Sequence, residues 1–155
     1  MKEAREKENQ HAIAEEIFQT SSKIRWFALV NREVGLTMSR TRDDSDDYVP
    51  SEEERMFAEI RAPFILEAAN HSPREGDSLD YVEVRFERTT TLIVPLRTSY
   101  LIVTAENDLS VGERTEIVRR IRNLANKNNA SVGSVEILSL LTPNHARTQS
   151  RTSMF

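Results

Sequence analysis

Ile24-Arg25-Trp26-Phe27-Ala28-Leu29-Val30 and Ser99-Tyr100-Leu101-Ile102-Val103-Thr104-Ala105 decide the fold. Read as strands, both are apolar on two faces. In the first, Ile24, Trp26, Ala28 and Val30 point one way and Phe27 and Leu29 the other. Such strands lie inside a sheet covered on both sides, with a neighbour at each edge. The two are far apart in sequence, so the chain between them must return to complete one layer.

Outward from these strands the signals are local. Gly35 closes a turn after Val30, and Leu36 and Met38 alternate with Thr37 and Ser39 in a second strand. Ser51-Glu52-Glu53-Glu54 has the form of a capping box and opens a helix that runs to about Asn70. Met56, Phe57, Ile60, Phe64 and Ala68 give that helix an apolar stripe. Pro63 must kink or split it, because it offers no donor to the carbonyl of Glu59. Residues 80–88 alternate, with Val82, Val84 and Phe86 against Tyr81, Glu83, Arg85 and Glu87, as in a strand with one wet face. Residues 90–96 are apolar on both faces, and Pro95 marks the strand's end. Ser110 and Glu113 form a second capping box, opening a helix over 111–126. Upstream, residues 2–22 read as a helix whose stripe strengthens at Ala12, Ile13, Ile17 and Phe18.

The element order is α-β-β-α-β-β-β-α. Short links between consecutive strands make hairpins. One arrangement gives strands 24–30 and 99–105 two neighbours each: an α+β fold with a five-stranded antiparallel sheet in order 2-1-5-4-3 and helices on both faces. The alternating strands then fall at the rims. Residues 1–11 are expected to form a charged helical extension, 12–130 the domain, and 131–155 a C-terminal extension that is mostly a disordered tail. Residues 134–141 suit either helix or strand.

This pattern resembles the roadblock/dynein light chain family, within the broader profilin-like and longin-like folds, including small archaeal members. The resemblance rests on Lys23 to Asn31 with Gly35-Leu36, on Glu52-Glu53-Glu54-Arg55-Met56-Phe57, on Thr91-Leu92-Ile93-Val94-Pro95-Leu96, and on Leu101 to Glu106. Pro63, the long acidic loop 41–50 and the tail after Asn128 depart from it. The family implies homodimers or heterodimers joined through the middle helix and the following edge strand, and action as a scaffold or regulator of a small Ras-like GTPase. On this chain the implied interface is Met56, Ile60, Phe64, Tyr81, Glu83, Val84, Arg85 and Phe86. The alternative is a small-ligand sensor whose pocket would use Trp26, Phe27 and Tyr100.

Composition narrows the chemistry. The 155 residues carry a net charge of -4, against a nucleic-acid binder with an overall positive field. There is no cysteine, so disulfides, thiolate metal sites and cysteine nucleophiles are excluded. No apolar run approaches the roughly 20 residues of a membrane helix. Met1 to Gln10 is charged, unlike a secretion signal, so a cytoplasmic location is expected. No phosphate-cradling glycine loop or nucleophile elbow is present, so no enzyme activity and no cofactor are expected.

The remaining candidates are few. Asp43, Ser45, Asp47 and Glu54 have the spacing of a calcium loop, but Tyr48 occupies the position that needs glycine, and no metal is expected. Asp43, Asp44, Asp46 and Asp47 instead suit a solvated loop or the contact for a basic partner. His11, His71 and His145 lie in three different elements and read as exposed. The basic residues of the last helix lack the interleaved aromatics that nucleic-acid stacking requires.

Overall fold

The computed structural model describes residues 2–43, 50–72 and 74–130. Five strands form one antiparallel sheet: β1 (Ile24–Asn31), β2 (Gly35–Thr41), β3 (Val82–Arg85), β4 (Thr89–Pro95) and β5 (Ser99–Glu106). Their order is β2-β1-β5-β4-β3, as expected. β1 and β5 lie side by side at the centre, and β2 and β3 form the rims. β3 is shorter than the expected 80–88.

Each sheet face carries its own core. α1 (Lys2–Thr20) and α4 (Val111–Ala130) cover one face, burying Ile13, Ile17, Ile117 and Ile121 against Phe27, Leu92 and Val103. The middle helix covers the other, against Trp26, Ala28, Ile93, Tyr100 and Ile102. One side of β1 differs from simple alternation. The register shifts between Ile24 and Trp26, so Arg25 bulges to solvent and Ile24 joins Phe27 and Leu29 on the α1/α4 face. α4 continues past the expected end near Asn126 to Ala130.

The helix starts follow the capping chemistry. Ser110 Oγ accepts from Glu113 N at 3.1 Å, and Glu113 Oε1 accepts from Ser110 N at 3.2 Å. Glu113 also takes a hydrogen bond from Lys23 Nζ at 3.1 Å, tying α4 to the start of β1. Gly35 has φ +91°, which closes the β1–β2 turn where other residues are strained.

The middle helix does not split at Pro63 but winds wider just ahead of it. It is helical throughout, in three sections: α2 (Glu52–Met56), a π-helical turn (Phe57–Arg61) and α3 (Ala62–Ala69). Pro63 is the second residue of α3 and offers no donor to the turn before it. In the π-turn, Ala62 N donates to Phe57 O. The carbonyl left without a helical donor is therefore that of Ala58, because its i+5 residue is Pro63. Tyr100 supplies the donor, its hydroxyl reaching Ala58 O at 2.7 Å.

Candidate functional site: an exposed apolar row beside an open sheet edge

Two rows run along the middle helix with the same four-residue spacing. Ala58, Ala62 and Leu66 are buried on the sheet. Met56, Ile60 and Phe64 are offset by two residues, about 200° around an α-helical axis, and face away from the sheet. A four-residue step in an α-helix overshoots a turn by about 40°. The wider winding of the π-turn takes some of this back and keeps both rows aligned with the axis. The small side chains of Ala58 and Ala62 let the helix lie close on the sheet.

The outward row is exposed to an unusual degree: Met56 40%, Ile60 60% and Phe64 76%. Phe86, just past β3, is 47% exposed and meets the Phe57 ring edge-on, with centroids 6.5 Å apart. These four are most of the exposed large hydrophobics among the described residues; the others are Val34 and Val111. Single exposed apolar residues are ordinary, whereas a row of them marks a contact surface.

β3 lies at the rim beside this row. Phe86 N donates to Thr89 O at 2.8 Å, continuing the β3–β4 register in which Val84 faces Thr91 and Val82 faces Ile93. Hydrogen-bonded pairs alternate in an antiparallel ladder. The even-numbered residues therefore bond to β4, and the N–H and C=O groups of Glu83 and Arg85 point out of the open edge. Side chains alternate too. Val82 and Val84 pack toward the middle helix, while Glu83 reaches Arg114 of α4 at 3.5 Å on the opposite face. Arg85 is exposed and has no ion-pair partner among the described residues.

The expected interface residues thus divide. Met56, Ile60, Phe64 and Phe86 are the apolar surface, and Glu83 and Arg85 carry the open edge. Val84 is half-buried beneath it, and Tyr81 packs against the α1/α4 core. The sequence pattern did not single out Tyr100 as the partner of the middle helix, nor Ala58, Ala62 and Leu66 as its buried row. The visible signal was Pro63, which guarantees an orphaned carbonyl nearby.

The other candidates do not assemble. Phe27 packs edge-on with Phe18, at 5.4 Å, on the α1/α4 face, while Trp26 and Tyr100 lie on the other. Trp26 Nε1 donates to Ser39 Oγ at 2.8 Å, so these aromatics are core and do not share a sensor pocket. Asp43 is exposed; Asp44, Ser45, Asp46, Asp47 and Tyr48 lie outside the described residues, as do 134–141 and His145. Glu54 N donates to Ser51 Oγ at 3.1 Å in the α2 cap. His11 pairs with Glu15 at 3.1 Å on the surface of α1, and His71 is exposed. Among the described residues no cluster suited to a metal forms, and no helix is long and apolar enough to cross a membrane.

No family model matches the sequence, and no curated protein does. Solved structures do match. A structure titled MglB with tetrameric arrangement superposes with a TM-score of 0.58 at 13% identity, over 78% of this chain and 88% of that one. The roadblock/LC7 domain from Streptomyces avermitilis gives 0.52 at 12% identity, over 70% and 90%. The chain has the roadblock fold. The gliding protein MglB from Thermus thermophilus also gives 0.52 at 12% identity, over 79% and 92%. At such identities the likeness is one of fold.

Proposed function

We propose that this chain is a non-enzymatic interaction module that dimerises through the middle helix and β3, and that it serves as a scaffold or regulator of a small Ras-like GTPase. The GTPase is what the resemblance to roadblock proteins implies. The observation that carries the dimer is the exposed Met56-Ile60-Phe64 row adjoining an open strand edge. A second copy or a related chain covers both at once. The acidic segment Asp43, Asp44, Asp46 and Asp47 is a contact for a basic partner within the same reading.

The edge geometry selects a register. Only Glu83 and Arg85 of β3 present outward backbone groups, so a two-fold antiparallel pairing must bring odd residues together. Centring the axis at residue 83 or 85 sets like charges opposite each other. Centring it at Val84 sets each Glu83 opposite the other copy's Arg85, which cross-strand energetics favour.

The chain has no cysteine, so single cysteines read this register directly. Val84 would form a non-hydrogen-bonded pair with its twin, with Cα atoms about 4.5 Å apart, within disulfide reach. On mild oxidation Val84→Cys should cross-link with itself, and Glu83→Cys should cross-link with Arg85→Cys in a mixture. Self-linking of Glu83→Cys or Arg85→Cys alone would select another register. A chain that sediments as a monomer at all concentrations overturns the dimer. The GTPase reading is tested separately, by co-elution with Ras-like GTPases of the same genome in their GTP- and GDP-bound forms; binding to neither overturns it.

A further inference from the structure

We propose that a cavity at the turn end of the sheet binds a small phosphate-bearing anion. The cavity has a volume of about 530 Å³, within the range of small-molecule sites. It is lined by Arg32 from the β1–β2 turn, Arg97 from the β4–β5 turn and Arg122 from α4, with Glu67 of α3 the one lining carboxylate among the described residues. Arginines from three separate elements thus line one concavity.

Each arginine is positioned by the fold. Arg32 N donates to Thr98 O at 3.2 Å, which ties the two turns together, and the Arg32 guanidinium lies 5.6 Å from the centre of the Tyr100 ring. Arg122 is held by the carbonyl of Asp80 and by its carboxylate at 3.4 Å, which balances part of its charge. Arg122 Nε is buried and has no hydrogen-bond partner among the described residues. Arg32 and Arg97 are exposed and form no ion pair there. Helix dipoles do not account for the cluster: the C-terminal end of α3 carries about half a negative charge, less than the two unpaired arginines supply.

Like charges around a concave wall raise its potential and attract a multivalent anion, and guanidinium forks match phosphate oxygens in pairs. Leu66, Leu79 and Leu96 form an aliphatic part of the wall, and among the described residues no aromatic ring lines it. None of these side chains stacks a nucleobase, so their chemistry fits diphosphate or a sugar phosphate better than a nucleotide. The site is independent of pairing through β3.

Calorimetric titration of the full chain with sodium diphosphate, at constant ionic strength, tests the site. We expect saturable binding of one anion per chain, weakened at least about tenfold in Arg97→Gln and further in Arg32→Gln/Arg97→Gln. Glu67→Gln should tighten it. Arg119→Gln/Arg120→Gln, on α4 outside the cavity, should leave it unchanged. Parallel titrations with a sugar phosphate and a nucleoside diphosphate should favour the former. The absence of saturable binding, equal binding by Arg97→Gln and the parent, or an equal loss in the Arg119/Arg120 variant would overturn the proposal.

Discussion

The two rows of the middle helix share one spacing and differ in what covers them. Ala58, Ala62 and Leu66 are the less hydrophobic set, yet they lie on the sheet. Met56, Ile60 and Phe64 are larger and more apolar, yet they face away from it. Hydrophobicity alone would orient the helix the other way around. Close approach to a sheet already filled by Trp26, Tyr100 and Ile102 favours small residues, and the surplus apolar surface is left for another molecule. The stripe that marks a helix in sequence therefore does not say which body it packs against.

The largest expected effect separates the rows by stability. Leu66→Ala removes a side chain 3% exposed and should cost about 2–5 kcal/mol in chemical denaturation. Phe64→Ala, one row away, should change the stability of the monomer by less than about 0.5 kcal/mol, measured below the dissociation concentration, while weakening self-association in sedimentation. Equal losses from the two variants would mean that Phe64 supports its own chain's core.

A smaller effect tests how the inner row is held. Tyr100→Phe leaves the Ala58 carbonyl buried without its donor and should cost about 1–3 kcal/mol. Burial, the main cause, pushes the Tyr100 hydroxyl up to about 12. A raised phenol pKa stabilises the fold at neutral pH. That stabilisation declines as pH rises from 10 toward 12, and Tyr100→Phe should flatten this alkaline limb.

The smallest effect lies far from either row. Hydrogen bonds from Arg119 and Arg120 hold the exposed Glu116 carboxyl at about 2, below its usual 4.5. Its contribution is present above pH 4.5 and lost as pH falls through that window to about 2. Glu116→Gln should reduce the slope of acid unfolding there while leaving both helix rows, and association at neutral pH, as they are.

Much of the architecture was legible because its signals are short-ranged. Strands 24–30 and 99–105, apolar on both faces, demand central places, and two capping boxes mark helix starts. The failures have physical causes as well. Alternation placed Ile24 with Trp26, but the bulge at Arg25 turns it over. Pro63 was expected to deny a donor to Glu59, but the π-turn moves the deficit to Ala58, where Tyr100 meets it across 42 positions of sequence. Of the candidate site, the outward apolar residues and the charged edge were legible. The arginine cavity was not, because Arg32, Arg97 and Arg122 converge only when two turns and a helix meet at one end of the sheet.

By itself, then, the sequence determined which segments are strands and helices, which strands must be central, and where the chain turns, since these depend on neighbours a few residues apart. Only the tertiary structure decided which face of the middle helix is covered, which backbone groups of β3 are left open, and which distant side chains share a cavity. Those follow from the fit of one surface against another, and periodicity along a chain carries no record of that fit.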